Sequence, residues 1–163
     1  MKGVYLAAFK ALHPGYEIDY QDINGKRDIG GDMMEVDLTN YDFIIASPPC
    51  NYYSRANYRR EYSEYSQRTK HLLPGILDKL VKQDKPFIVE NVRNEKLMSK
   101  LGLFNYPIFI YTIGRHIYWS NVFLDSQFVY QRFENIKHIS SSKRQGGENV
   151  HNVIEVFLET IGA

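Results

Sequence analysis

Apolar positions along this chain come in two spacings. Residues 42–47 and 86–91 are short, nearly continuous apolar runs, Phe43-Ile44-Ile45-Ala46 and Phe87-Ile88-Val89, of the length of buried strands. Residues 72–83 instead place Leu73, Ile76, Leu77 and Leu80 at helical intervals, and residues 150–161 do the same with Val153, Ile154, Phe157, Leu158 and Ile161. Residues 4–12 fit a short helix stopped by His13-Pro14-Gly15, although 4–9 also fits a strand. Residues 16–23 read as a strand ending at Asp22, and 26–37 as irregular, being rich in Gly and Asp. Residues 95–101 form a short predicted helix with Gly102 as its stop. Residues 108–112 and 117–122 are β-branched and aromatic, a late strand pair. Residues 51–70 and 127–147 are polar; no repeat or low-complexity linker interrupts the chain. Strands alternating with helices predict an α/β fold with a parallel or mixed sheet.

Composition narrows the classes. With 163 residues, one domain with a real core is expected. A net charge of +1 supplies no global field toward nucleic acid or membrane. The single cysteine, Cys50, excludes a disulfide framework and a Cys-rich zinc site, and the five histidines show no ligand-like spacing, so no metal is expected. No apolar run reaches the roughly 20 residues of a membrane span. A cytoplasmic protein is the expectation.

The chemistry gathers at two strand ends. Ser47-Pro48-Pro49-Cys50 follows one apolar run; Glu90-Asn91-Val92 closes another, forty positions after the cysteine. A thiol at one strand end and a carboxylate at another bring a nucleophile and an acid/base to one rim of a sheet. A lone cysteine after a strand is also commonly a small buried hydrophobe, and Glu90 alone also fits a salt-bridged strand end.

The two motifs together resemble the catalytic motifs of the cytosine-5 DNA methyltransferases, and more narrowly small phage-type methylase-like proteins, over about residues 7–121. The resemblance implies a Rossmann-like methyltransferase sheet in a minimal single domain, 1–163, with S-adenosylmethionine as methyl donor and DNA as partner. It implies Cys50 as the nucleophile adding to carbon 6 of cytosine and Glu90 as the acid at the ring nitrogen. Asn91 would brace the Glu90 loop or the Pro48-Pro49 backbone, and Arg115 would bind the carbonyl oxygen, although the family's Gln-x-Arg-x-Arg pattern is absent. Asp22 matches the acid that holds ribose hydroxyls, Asp32 the acid that accepts from the adenine amine, and Pro48 the loop against the cofactor. Both aspartates also fit solvated turns. Tyr53, Ser54, Arg55, Arg59 and Arg60, with Tyr52, Tyr58, Tyr62, Tyr65, Arg68 and Lys70 around them, suit phosphate contact and base stacking.

Two departures qualify the resemblance. No Gly-x-Gly follows the first apolar run, so if residues 4–12 match the helix after the family's glycine loop, the chain is N-terminally truncated relative to the family. Residues 127–147 are also too few for a separate target-recognition domain. These departures keep two rivals open: an inactive relative that binds DNA or protein, and a Cys/Glu enzyme acting on a free nucleotide or other small molecule. An open sheet edge would favour a homodimer.

Overall fold

The computed structural model describes residues 14–19, 21–22, 29–125 and 145–163. The predicted helix at 4–12 and most of the loop at 127–147 lie outside them. The chain falls into two compact units, Met1–Thr39 and Asn40–Ala163.

In the first unit, β1 (Gln21–Asp22) pairs in parallel with β2 (Ile29–Gly30), aligning Gln21 with Ile29 and Asp22 with Gly30. The strand predicted over 16–23 shrinks to its last described residues, and the expected irregular stretch contributes β2. The Gln21 side-chain amide donates to the Gly31 carbonyl, and Gly31 turns the chain at φ +96, a conformation suited to glycine.

The second unit is a four-stranded mixed sheet in the order β3-β4-β6-β5. Strands β3 (Ile44–Ala46) and β4 (Phe87–Val92) run parallel, joined by α1 (Glu64–Thr69) and α2 (Leu72–Leu80). Strands β5 (Phe109–Ile113) and β6 (His116–Ser120) form an antiparallel hairpin, and β6 lies antiparallel to β4. The hairpin closes in two residues, Gly114-Arg115. Gly114 takes the positive φ (59) that such a tight turn needs at its first position. The strands predicted in this unit are thus present, each with ends shifted by one or two residues.

Burial follows the apolar runs. Phe87, Ile88 and Val89 of β4 are buried in succession, as are Ile117 to Ser120 of β6, so the two inner strands are covered on both faces. Helix α2 buries Leu73, Ile76, Leu77 and Leu80 as its spacing predicts. Helix α3 (Glu95–Lys100) is capped by Asn94, whose side chain accepts from Leu97 N at 3.4 Å, and Gly102 (φ 71) ends it. Helix α4 (Gln145–Ile161) starts five residues earlier than its apolar spacing suggests, so its first turn occupies chain expected as loop. It buries Val153, Ile154, Val156, Phe157 and Leu158, while Ile161 is only half-buried. Phe157 meets Phe43 edge to face at 6.4 Å between ring centroids.

Trp119 is the largest fully buried side chain, and its indole Nε1 donates to the Leu103 carbonyl at 2.8 Å. Trp119→Ala is expected to destabilise the fold by about 3–5 kcal/mol through the cavity it leaves. Trp119→Phe should cost about 1–3 kcal/mol, because the buried Leu103 carbonyl then lacks its donor. Urea midpoints measure both.

Candidate active site

Parallel pairing brings the two strand-end motifs together. Ala46 aligns with Val89, so Ser47 and Glu90 come next on neighbouring strands at the carboxyl rim of the sheet. The Ser47 hydroxyl donates to Glu90 Oε2 at 2.6 Å. One residue further along each strand, the Asn91 Nδ2 donates to the Pro48 carbonyl at 3.1 Å, with Asn91 only 1% exposed. Asn91 Oδ1 accepts from Val92 N at 3.0 Å. Neither proline can donate a backbone hydrogen bond, so the Pro48-Pro49 corner is tied to β4 through its carbonyl and Asn91. Of the two braces expected of Asn91, the Pro48 backbone is the one observed.

Cys50 follows this corner and is exposed. Its carbonyl accepts from Tyr53 N at 3.0 Å and Ser54 N at 2.9 Å, which curls the chain into a tight turn. Partial burial of the sulfur pushes the thiol above its ordinary range, the Glu90 carboxylate pushes it further, and a backbone hydrogen bond pulls it down. In the protein alone burial and the Glu90 charge both favour the protonated thiol. Glu90→Gln removes the repelling charge, so the thiolate forms at lower pH. The alkylation rate of Cys50 plotted against pH should move to lower pH in that variant. An unmoved curve would show that burial alone sets the shift.

Glu90 also faces His116. Its Nε2 lies 3.6 Å from Glu90 Oε1, with the two side chains only 15% and 13% exposed. The register pairs Glu90 with Tyr118 and Val92 with His116, so these four residues share one face of the sheet. Arg115, the sequence candidate for binding the carbonyl oxygen of the base, sits exposed in the hairpin turn, and its carbonyl accepts from Arg93 N at 2.8 Å. The structure thus brings the next residue, not Arg115, to the carboxylate. Sequence reading set His116 aside for lack of ligand spacing; a two-residue turn at Gly114-Arg115 was the available signal.

The segment after Cys50 is largely bonded to itself. Tyr53 is fully buried and its hydroxyl donates to the Lys70 carbonyl at 2.5 Å, so it packs in the core and does not offer a ring to a base. The Arg60 Nη2 donates to the Ser54 carbonyl at 2.7 Å, making Arg60 a loop brace, not a phosphate contact. Asn94 Nδ2 donates to the Tyr53 carbonyl at 2.8 Å, tying this loop to the one after β4. Outward groups are Arg55, 65% exposed beyond a loose 3.7 Å pair with Glu95, and Arg59, whose guanidinium stands 5.7 Å from the Tyr58 ring centroid. Tyr58 and Tyr62 are 84% and 90% exposed.

The expected cofactor acids lie in the first unit. Asp22 is the last residue of β1, and Asp32 Oδ1 accepts from Met34 N at 2.9 Å, which orients its carboxylate. An oriented turn carboxylate suits an amine donor, so Asp32 fits an adenine amine in kind. Among the described residues no cluster suited to a metal ion is present, and no helix is long and apolar enough to cross a membrane.

The Cys50 thiol thus follows a proline corner that Asn91 braces, and the Glu90 carboxylate lies at the end of the adjacent parallel strand. The model of the C-5 cytosine-specific DNA methylase family matches residues 2–105, which include Cys50, Glu90 and Asn91, and the chain belongs to this family. It is 31% identical over 87 residues to the Type II methyltransferase M1.HgaI of Avibacterium volantium. That stretch covers 52% of this chain and 24% of the relative, so the chain spans a minor part of that protein's length. No solved structure matches.

Proposed function

We propose that the protein is a cytosine-5 DNA methyltransferase with a Rossmann-like sheet, in which Cys50 is the nucleophile and Glu90 the acid. The observation that carries this reading is the 2.6 Å bond from Ser47 to Glu90, beside Cys50, on two parallel strands of a chain in this family. Cytosine is unreactive at carbon 5 until a thiolate adds to carbon 6 and the ring nitrogen takes a proton. Cys50 Sγ forms the bond to carbon 6, and Glu90 delivers the proton to nitrogen 3. Ser47 and Asn91 hold the carboxylate and the cysteine corner in register. S-adenosylmethionine, when bound through Asp22 and Asp32, supplies the methyl group. A cytosine within a duplex has to leave the stack to reach these groups. Arg55 and Arg59, with the exposed Tyr58 and Tyr62 rings, suit the phosphates and bases around it.

Transfer of a labelled methyl group to DNA, with the product nucleoside identified as 5-methylcytosine, tests the reading. Unlabelled DNA, with retained gel-shift binding, would favour a catalytically silent DNA-binding relative. The Glu90 charge and the partial burial of the Cys50 sulfur, which disfavour the thiolate, support this second reading.

A further inference from the structure

We propose that His116 is the proton partner of Glu90: the pair shares one transferable proton, which His116 passes to the carboxylate and Glu90 delivers to the substrate ring. The inference rests on the methyltransferase reading above and adds a residue lying beyond the family match at 2–105.

Three observations carry it. His116 Nε2 faces Glu90 Oε1 at 3.6 Å, within ion-pair range and short of a formed hydrogen bond. The other carboxylate oxygen is already taken by the Ser47 hydroxyl, so Oε1 is the oxygen left for a proton exchange. His116 Nδ1 is buried and has no hydrogen-bond partner among the described residues. Either imidazole nitrogen can carry or accept a proton, so Nε2, the nitrogen that faces the carboxylate, is chemically suited to the exchange. An arginine in its place could supply charge but no proton.

The other charged or titratable groups nearby leave this pairing intact. Tyr118, two residues along β6, has its ring centroid 6.5 Å from that of His116. Arg93, after β4, is held by Glu95 at 2.7 Å and reaches the Gly114 carbonyl at 3.5 Å. Arg115 adjoins His116 in the turn, and Cys50 couples to the pair through the Glu90 charge.

The proton count balances. The thiol proton passes to water as the Sγ–carbon 6 bond forms. The shared proton passes from His116 Nε2 to the Glu90 carboxylate and from Glu90 to nitrogen 3, leaving the imidazole neutral and Glu90 ionised. After the methyl group joins carbon 5, that carbon's proton leaves to water; the Sγ–carbon 6 bond then breaks as the nitrogen 3 proton returns through Glu90 to His116.

Two measurements decide the matter. The first is methyl transfer to DNA against pH for the wild type, His116→Gln and His116→Arg, each checked for native circular dichroism. The wild-type profile should contain an ionisation that both variants lack, and His116→Gln should be roughly 10²-fold slower. Retention of that ionisation in either variant overturns the proposal. The second needs no activity: nitrogen chemical shifts of the His116 ring in the free protein. Glu90→Gln at fixed pH should change the proton occupancy of Nε2, and an unchanged ring overturns the pairing. Failure of the wild type to methylate any DNA overturns the methyltransferase reading and the substrate end of the relay, while the ring shifts still decide whether His116 and Glu90 share a proton.

Discussion

Cys50→Ser should abolish covalent capture of DNA carrying 5-fluorocytosine, where the wild-type protein, supplied with methyl donor, remains attached. Fluorine at carbon 5 blocks the elimination that would free the enzyme, so the Sγ–carbon 6 bond persists and survives denaturing electrophoresis. A serine hydroxyl lacks the intrinsic nucleophilicity of sulfur and has no adjacent base strong enough to replace it. Methyl transfer should fall by roughly 10⁴-fold or more, the scale seen when a nucleophile is lost. Because the thiol rests above its ordinary range, capture by the wild type should also quicken with rising pH, as more of it ionises. Capture by Cys50→Ser at the wild-type rate would remove the thiol from the mechanism.

Glu90→Gln should lower methyl transfer by roughly 10²–10⁴-fold while leaving the fold intact. The amide preserves size and can still accept from Ser47, but cannot carry the transferable proton. The same substitution makes the Cys50 thiolate easier to form, since the repelling carboxylate is gone. The two effects oppose one another and can be separated: alkylation of Cys50 quickens as methylation slows. A variant slower in both would mean that Glu90 chiefly supports the loop. Ser47→Ala offers a milder comparison, loosening one oxygen of the carboxylate without changing charge.

Much of this was legible before any coordinates. The apolar runs ending in Ser47-Pro48-Pro49-Cys50 and Glu90-Asn91 announced two buried strands, because chain that lacks polar side chains has to be covered on both faces. The spacing of Leu73, Ile76, Leu77 and Leu80 announced α2 for the same reason. What misled was exposure. Tyr53 sits in a Tyr- and Arg-rich segment and reads as a surface ring, yet it is wholly buried, with its hydroxyl satisfied by the Lys70 carbonyl. Arg60 looks like its neighbour Arg59, yet one braces the Ser54 carbonyl and the other faces solvent. Local composition cannot separate them, since which side chain turns inward depends on how the loop closes on itself.

The sequence by itself determined the chemistry available: one thiol, one carboxylate-amide pair forty positions on, and the strands that end at each. Tertiary structure alone decided which groups meet. Parallel pairing of β3 with β4 put Ser47 on Glu90 and Asn91 on the Pro48 carbonyl. The antiparallel return of β6, set in register by a two-residue turn, brought His116 to the carboxylate. A shift of one residue in that register would turn the imidazole to the opposite face, because strand side chains alternate with a period of two.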